Sequence, residues 1–303
     1  MKAKQIIFFV ITLTFANSSY AQTGTAGATG LAFLKLGVGA RANGMGEAYA
    51  SVVNDATATF WNPAGLARLN HAHLTFSHSE WLQDISSEFL AFAFPAFGGV
   101  TGFSANLHNI GGIERHTTAG ESLGNIEWNY VALGVSHGRS IGQNLSAGVT
   151  VKYLYEKIYL ESASGYAFDF GVNFRPLSDP LHLTLAVQNL GTLNKLKAES
   201  TDLPRTLRLG ASYEVGLEDF DGVMVVAAEG VKVFESDWRG HFGAEIELKN
   251  LLALRFGYQT GYEEKTLAGG FGVSFQRYHL DYGYTPFSSN LGDTHRFSFG
   301  LDL

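Results

Sequence analysis

From about His71 to the C-terminus the chain alternates apolar and polar residues in segment after segment, and this constrains the fold more than any other feature. A β-strand sends successive side chains to opposite faces, so alternation assigns one residue set to each side of a sheet. In 145–156 the apolar set is Leu145, Ala147, Val149, Val151, Tyr153 and Tyr155, against Ser146, Gly148, Thr150, Lys152 and Glu156. In 166–175, Tyr166, Phe168, Phe170, Val172 and Phe174 oppose Ala167, Asp169, Gly171, Asn173 and Arg175.

A soluble β-sandwich alternates too, so other features must decide. The apolar faces carry aromatic residues at their ends, at Tyr153/Tyr155, Phe256/Tyr258 and Tyr282/Tyr284, like the interfacial girdles of a membrane barrel. The opposite faces collect Lys152, Asp169, Arg175, Arg208, Glu214, Glu245, Glu247, Arg255 and Asp281, charges that can pair inside a polar lumen. Composition agrees, with 13% aromatic residues and 36 glycines beside six prolines and 16% charged residues. The chain has no cysteine, hence no disulfide framework, and its net charge of -7 gives no basis for nucleic-acid binding.

The first residues address the chain. Lys2 and Lys4 precede the apolar run 6–16, and Ser19-Tyr20-Ala21 forms a small-x-small cleavage site, so residues 1–21 are expected to be a signal peptide. No later apolar run reaches the roughly 18 residues of a spanning helix. An exported chain with this pattern is expected to be an all-β transmembrane antiparallel barrel in the outer membrane, in contact with outer-membrane lipid.

About fourteen strands are expected, near 71–79, 87–95, 99–108, 126–137, 144–156, 165–175, 181–188, 205–215, 222–234, 239–248, 251–259, 267–276, 278–285 and 295–303. Phe271, Val273 and Phe275 share one phase and Tyr278, Leu280, Tyr282 and Tyr284 the next, so a two-residue turn belongs at Gln276-Arg277. Longer connections at 109–125, 157–164, 189–204 and 286–294 alternate with short ones, as extracellular loops alternate with periplasmic turns. The segment 222–234 is ambiguous, because 223–228 is apolar on both faces.

A barrel of this width is too wide for its own side chains to fill. Residues 22–70, which contain no alternating strand, are the expected occupant, an N-terminal hatch ahead of a barrel domain at 71–303. Glycines at 37, 39, 44 and 46 permit unusual backbone and close approaches. Helical turns are expected at 47–53, and a second helix at 56–61 is expected to start at Asp55 and stop before Pro63.

Chemical motifs are few. Gly37-Val38-Gly39-Ala40-Arg41-Ala42 matches a dinucleotide fingerprint but lies in no βαβ unit. Gly134-Val135-Ser136-His137-Gly138 matches a nucleophile elbow but lies within an alternating strand. His71, His73 and His78 have no acidic or cysteine partner at ligand spacing, so no metal site is expected. Neither a cofactor nor an enzymatic activity is expected.

Three runs carry a resemblance: GARANGMGEA at 39–48, DATATFWNPAGL at 55–66, and LDYGYTPF followed by LGDTHRFSFGL within 280–301. With SGYAFDFGV at 164–172 and QNLG at 188–191, they resemble the PorV/PorQ family of outer-membrane proteins, which is related to FadL-type long-chain fatty acid transporters. The resemblance implies a fourteen-stranded barrel with an N-terminal hatch. It makes Arg41, Gly44, Gly46, Asn62, Pro63, Ala64 and Gly65 the candidate ligand or hatch residues. It implies a role in type IX protein secretion, with secretion components or cargo proteins as partners. The alternative is FadL-like transport of fatty acids or other hydrophobic small molecules.

Overall fold

The computed structural model describes residues 29–81, 85–114, 124–176, 180–195, 202–234, 236–288 and 292–303. The expected signal peptide and residues 22–28 lie outside them. Among the described residues fourteen strands form one closed antiparallel barrel, each strand pairing with its neighbours in the chain and the last returning to the first. They are β1 (His73–Glu80), β2 (Ile85–Ala96), β3 (Gly99–Glu114), β4 (Asn125–Ile141), β5 (Leu145–Ile158), β6 (Glu161–Phe174) and β7 (Leu181–Leu193). Then follow β8 (Thr206–Leu217), β9 (Gly222–Val233), β10 (Trp238–Leu248), β11 (Leu252–Thr260), β12 (Leu267–Phe275), β13 (Tyr278–Pro286) and β14 (Asp293–Asp302).

The barrel is apolar outside and polar inside. Leu133, Val135, Val151, Tyr153 and Phe170 are exposed on its outer face, whereas Ser136, Thr150, Asp169, Arg208 and Glu245, on the opposite phase of the same wall, are buried. Water as the outer solvent would favour the reverse arrangement; a hydrocarbon surround accounts for this one. No helix among the described residues is long and apolar enough to cross a membrane.

The short turns sit at the end that holds the start of β1 and the end of β14, the periplasmic end in outer-membrane barrels. Gln276, at φ 55°, makes the two-residue turn joining Phe275 to Tyr278, as the change of phase requires. Phe97 and Gly98, at φ 55° and 73°, make another between β2 and β3, a two-residue turn with both central residues left-handed.

Three connections are shorter than expected: β3 runs on to Glu114 and β7 to Leu193, into 109–125 and 189–204, and 157–164 changes most. The stretch 157–164 is not a long loop: β5 and β6 extend into it, pairing Ile158 with Glu161 and leaving Tyr159 and Leu160 as the turn. Backbone pairing there satisfies groups that a loop would leave to water.

The described part of the N-terminal segment, residues 29–70, packs on the inward-facing side chains. Val38, Met45, Tyr49, Val53, Trp61 and Leu66 form one core with Phe89, Ala91 and Ala93 of β2, Val100 of β3, and Val225 and Ala227 of β9. This explains the ambiguity of 222–234. At Val225 and Ala227 the lumenal face of β9 is apolar because it meets protein there instead of water.

Candidate functional site

The segment between Gly39 and Leu69 is built from short pieces. Gly39, at φ 85°, opens a five-residue helix, Ala40–Gly44. Helical turns do not continue through 47–53: Glu47 takes φ 61°, and Val52 and Val53 both bond back to the Tyr49 carbonyl, so this stretch is a chain of tight turns. The Asp55 carboxylate accepts from the Thr57 amide at 2.7 Å, and the helix that follows is Ala58–Trp61, two residues shorter than the 56–61 expected. Asn62 is extended at φ -165°, as the residue before a proline must be. Pro63 then starts a 3-10 helix, Pro63–Arg68, which the Asn62 side chain caps by accepting from the Ala64 amide at 3.0 Å.

The candidate residues hold this segment to the wall. Arg41 clasps Glu245 of β10 and also reaches Asn54 at 2.7 Å. Gly44 lies so close to β12 that an added Cβ would stand 3.1 Å from the Gly270 Cα. Gly46, at φ 61°, presents its carbonyl to the Gln259 side chain at 2.9 Å. Asn62 is fully buried and donates to the Ala50 carbonyl, Asn173 and Thr184. Pro63 and Ala64 lie against Gly148, where a Cβ would run into their backbone, and a Cβ on Gly65 would meet Val53 at 2.7 Å.

Around this seat runs a belt of buried charge. Arg255 pairs with Glu245 at 2.5 Å and with Asp281 at 2.6 Å, Arg208 with Glu229 at 2.6 Å, and Lys152 with Asp169 at 2.7 Å. The Glu229 carboxylate also accepts from the Ala50 amide at 2.9 Å, and Arg208 lies over the Trp61 ring. Seven of the nine expected lumenal charges are paired with one another or with an inward partner, Glu214 among them. Glu214 meets Arg68 at 3.2 Å, Glu247 lines a polar cavity near the periplasmic mouth, and Arg175 is exposed beyond the end of β6.

Glu47 belongs to the same system. Burial alone would raise its pKa, but the positive charges of Lys265, His241, Arg296 and Arg208 together outweigh this and bring it to about 2. Lys265, from the connection between β11 and β12, stands 3.7 Å away, and burial lowers its pKa despite that carboxylate.

Two features were not legible in the sequence. The first is an apolar chamber nearer the extracellular end, walled by Tyr130 and Ala132 of β4, Leu154 of β5, Ala163 and Ala167 of β6 and Leu193 of β7. Leu31, Phe33 and Leu34 fill it, with Phe33 stacked on Tyr130 at 5.4 Å between ring centres. The second is a set of histidines around Asp302 at the periplasmic end. The acidic partner absent near His71 and His73 in the sequence arrives from the other end of the chain. Ser136, from the apparent nucleophile elbow, is buried in β4 and bonded to Thr150 at 2.8 Å.

No protein-family model matches the chain, and no curated protein matches it. Solved structures do. The Pseudomonas putida toluene transporter TodX superposes with a TM-score of 0.64 at 11% identity, covering 88% of this chain and 99% of its own. The Ralstonia pickettii toluene transporter TbuX gives 0.59 at 13% identity, covering 88% and 98%. A Pseudomonas aeruginosa FadL homologue gives 0.54 at 13% identity, covering 87% and 97%. The closed antiparallel barrel, its inverted polarity and these near-complete superpositions together give the chain the fold of a FadL-type outer-membrane barrel.

Proposed function

We propose that this protein resides in the outer membrane and carries hydrophobic small molecules across it, without a catalysed step, residues 22–70 serving as a plug in a barrel formed by 71–303. The observation that carries this is the apolar chamber. The lumen is otherwise apolar mainly on β2, β3 and β9, where the main body of the N-terminal segment seats, and carries paired charges and hydroxyls over much of the rest, so a second apolar wall nearer the extracellular end is a place for an apolar occupant.

In this structure the occupant is the chain itself. Leu31, Phe33 and Leu34 are 2%, 3% and 6% exposed, and Leu31 holds a left-handed backbone at φ 49° to enter. Burying each such side chain stabilises by about 1.5–3 kcal/mol. An apolar ligand of similar size offsets that loss when the strap withdraws, so ligand binding and opening become one equilibrium. The likeness to two toluene transporters supports a small apolar solute.

The test is equilibrium binding of radiolabelled toluene and of a long-chain fatty acid to protein reconstituted in vesicles. Saturable binding of either, abolished by Ala167→Trp, supports transport; no saturable binding of either sinks it. The PorV/PorQ resemblance supports a second role, in type IX secretion, resting on the runs at 39–48, 55–66 and 280–301. Co-purification of secretion components or cargo with a ligand-free barrel favours that role.

A further inference from the structure

Asp302, at the end of β14, receives three imidazoles from separate places in the chain. The Nε2 of His279, on β13, is 2.9 Å from Oδ2; those of His71, just before β1, and His73, on β1, are 2.8 and 3.7 Å from Oδ1. Ligand atoms of His73, His279 and Asp302 all lie within 4.8 Å of one another. In a tetrahedral site with bonds of about 2.0–2.1 Å, neighbouring ligand atoms are roughly 3.3 Å apart, and these separations bracket that value.

The outer ring nitrogens are placed as ligands require. A metal-bound histidine keeps a proton on its other nitrogen and donates it to a fixed acceptor. The Nδ1 of His279 faces the Ser274 hydroxyl at 2.9 Å, and the Nδ1 of His73 faces the Thr75 hydroxyl at 3.3 Å. The Ala56 amide also donates to His73 Nδ1 at 3.3 Å, a long hydrogen bond that the imidazole gives up when it takes the tautomer that donates from Nδ1 to Thr75. His73 is nearly buried while His279 and Asp302 are partly open, and all three border a polar cavity of about 260 Å³ that also holds Arg41, Asp55 and Arg255.

We propose that His73, His279 and Asp302 bind a divalent transition metal of the zinc class, its remaining position facing the cavity and His71 buttressing the carboxylate from outside. Two imidazoles and one carboxylate suit zinc, nickel or copper and disfavour magnesium or calcium, which take oxygen ligands. The site spans the closure of the barrel: His73 pairs with Asp302 across the β1–β14 seam, and β13 adds His279. A metal there ties the first strand to the last two.

The probe is zinc chloride, titrated calorimetrically into metal-stripped, detergent-folded protein, with folding of every variant checked by its heat-dependent shift on gels. The wild-type chain is expected to bind one equivalent at micromolar concentration and to unfold at a higher temperature with zinc. Asp302→Asn and His279→Ala should abolish both effects. Ser274→Ala, which removes only the outer hydrogen bond, should weaken binding about 10–100-fold. His71→Ala should bind within a few-fold of wild type. Absence of wild-type binding overturns the proposal, leaving a hydrogen-bonded imidazole and carboxylate cluster; so does binding that survives in folded Asp302→Asn and His279→Ala.

Discussion

Arg41 of the N-terminal segment and Glu245 of β10 form a two-pronged ion pair, Nε and Nη2 standing 2.8 and 2.7 Å from the two carboxylate oxygens. The same carboxylate takes Arg255 at 2.5 Å and is almost wholly buried, so one anion serves two guanidinium groups, one from the segment and one from the wall. Removing it takes the carboxylate from Arg41 and leaves Arg255 with Asp281 alone, whereas removing Arg41 leaves Glu245 paired with Arg255. Glu245→Ala should therefore lose about 3–5 kcal/mol and Arg41→Ala clearly less. Guanidinium unfolding in phospholipid vesicles measures both, and equal losses would count against this asymmetry.

Gly148 and Gly216 make a matched pair of test positions. A Cβ at Gly148 meets the backbone of Pro63 and Ala64, which cannot rotate aside, while one at Gly216 meets nothing within 4 Å. Gly148→Val should cost about 1–3 kcal/mol and open the segment to trypsin at Arg68. Gly216→Val should leave the digestion pattern unchanged, and a protected Arg68 in Gly148→Val would show that the segment seats elsewhere.

Glu47 sets a pH dependence whose sign can be worked out. Its folded-state pKa of about 2 lies below the ordinary carboxylate value of 4.5, so the carboxylate contributes stability that is fully present above that unfolded value. That contribution shrinks as pH falls from 4.5 and is lost through about 2. Glu47→Gln should be less stable than wild type at pH 7, with the gap closing across this window. Unfolding midpoints at a series of pH values read it directly, and a gap independent of pH would refute the charge-based origin.

Leu133, exposed on the outer face of β4, tests the membrane directly. Leu133→Arg should destabilise the barrel by about 2–4 kcal/mol in vesicles if the position lies near the bilayer midplane. The measurement is reversible unfolding by tryptophan fluorescence. A loss below about 0.5 kcal/mol, the ordinary scale of a surface substitution, would mean that this face meets water.

Deleting residues 22–70 should raise single-channel conductance in planar bilayers, since Trp61, Tyr49 and Met45 fill lumen that the strands alone leave open. Unchanged conductance would remove the plug from the proposal. The charge belt should keep the emptied barrel closed as a cylinder, because the Arg208–Glu229 and Arg255–Asp281 pairs join strand to strand.

Alternation, together with the aromatic ends of the apolar faces and the charges on the opposite ones, determined the barrel. Because a strand's two faces differ by one residue, the phase of Phe275 against Tyr278 placed a turn at Gln276-Arg277, and the charged phase of Asp169, Arg208 and Glu245 chose the lumenal side. Asn62-Pro63 likewise ended a helix by local sterics. What the sequence could not settle depends on residues far apart in the chain. Whether 47–53 is helix or turns was decided by the fit against Tyr258, Gln259 and Lys265, and the apolar lumenal stretch of β9 at Val225 and Ala227 by the segment it covers. The chamber around Phe33 gathers residues between Leu31 and Leu203, and the cluster at Asp302 joins histidines at 71, 73 and 279 to the opposite end of the chain. No local pattern encodes such meetings: the seating of the N-terminal segment on β4 to β7 creates the first, and closing the sheet, which sets β14 beside β1, creates the second.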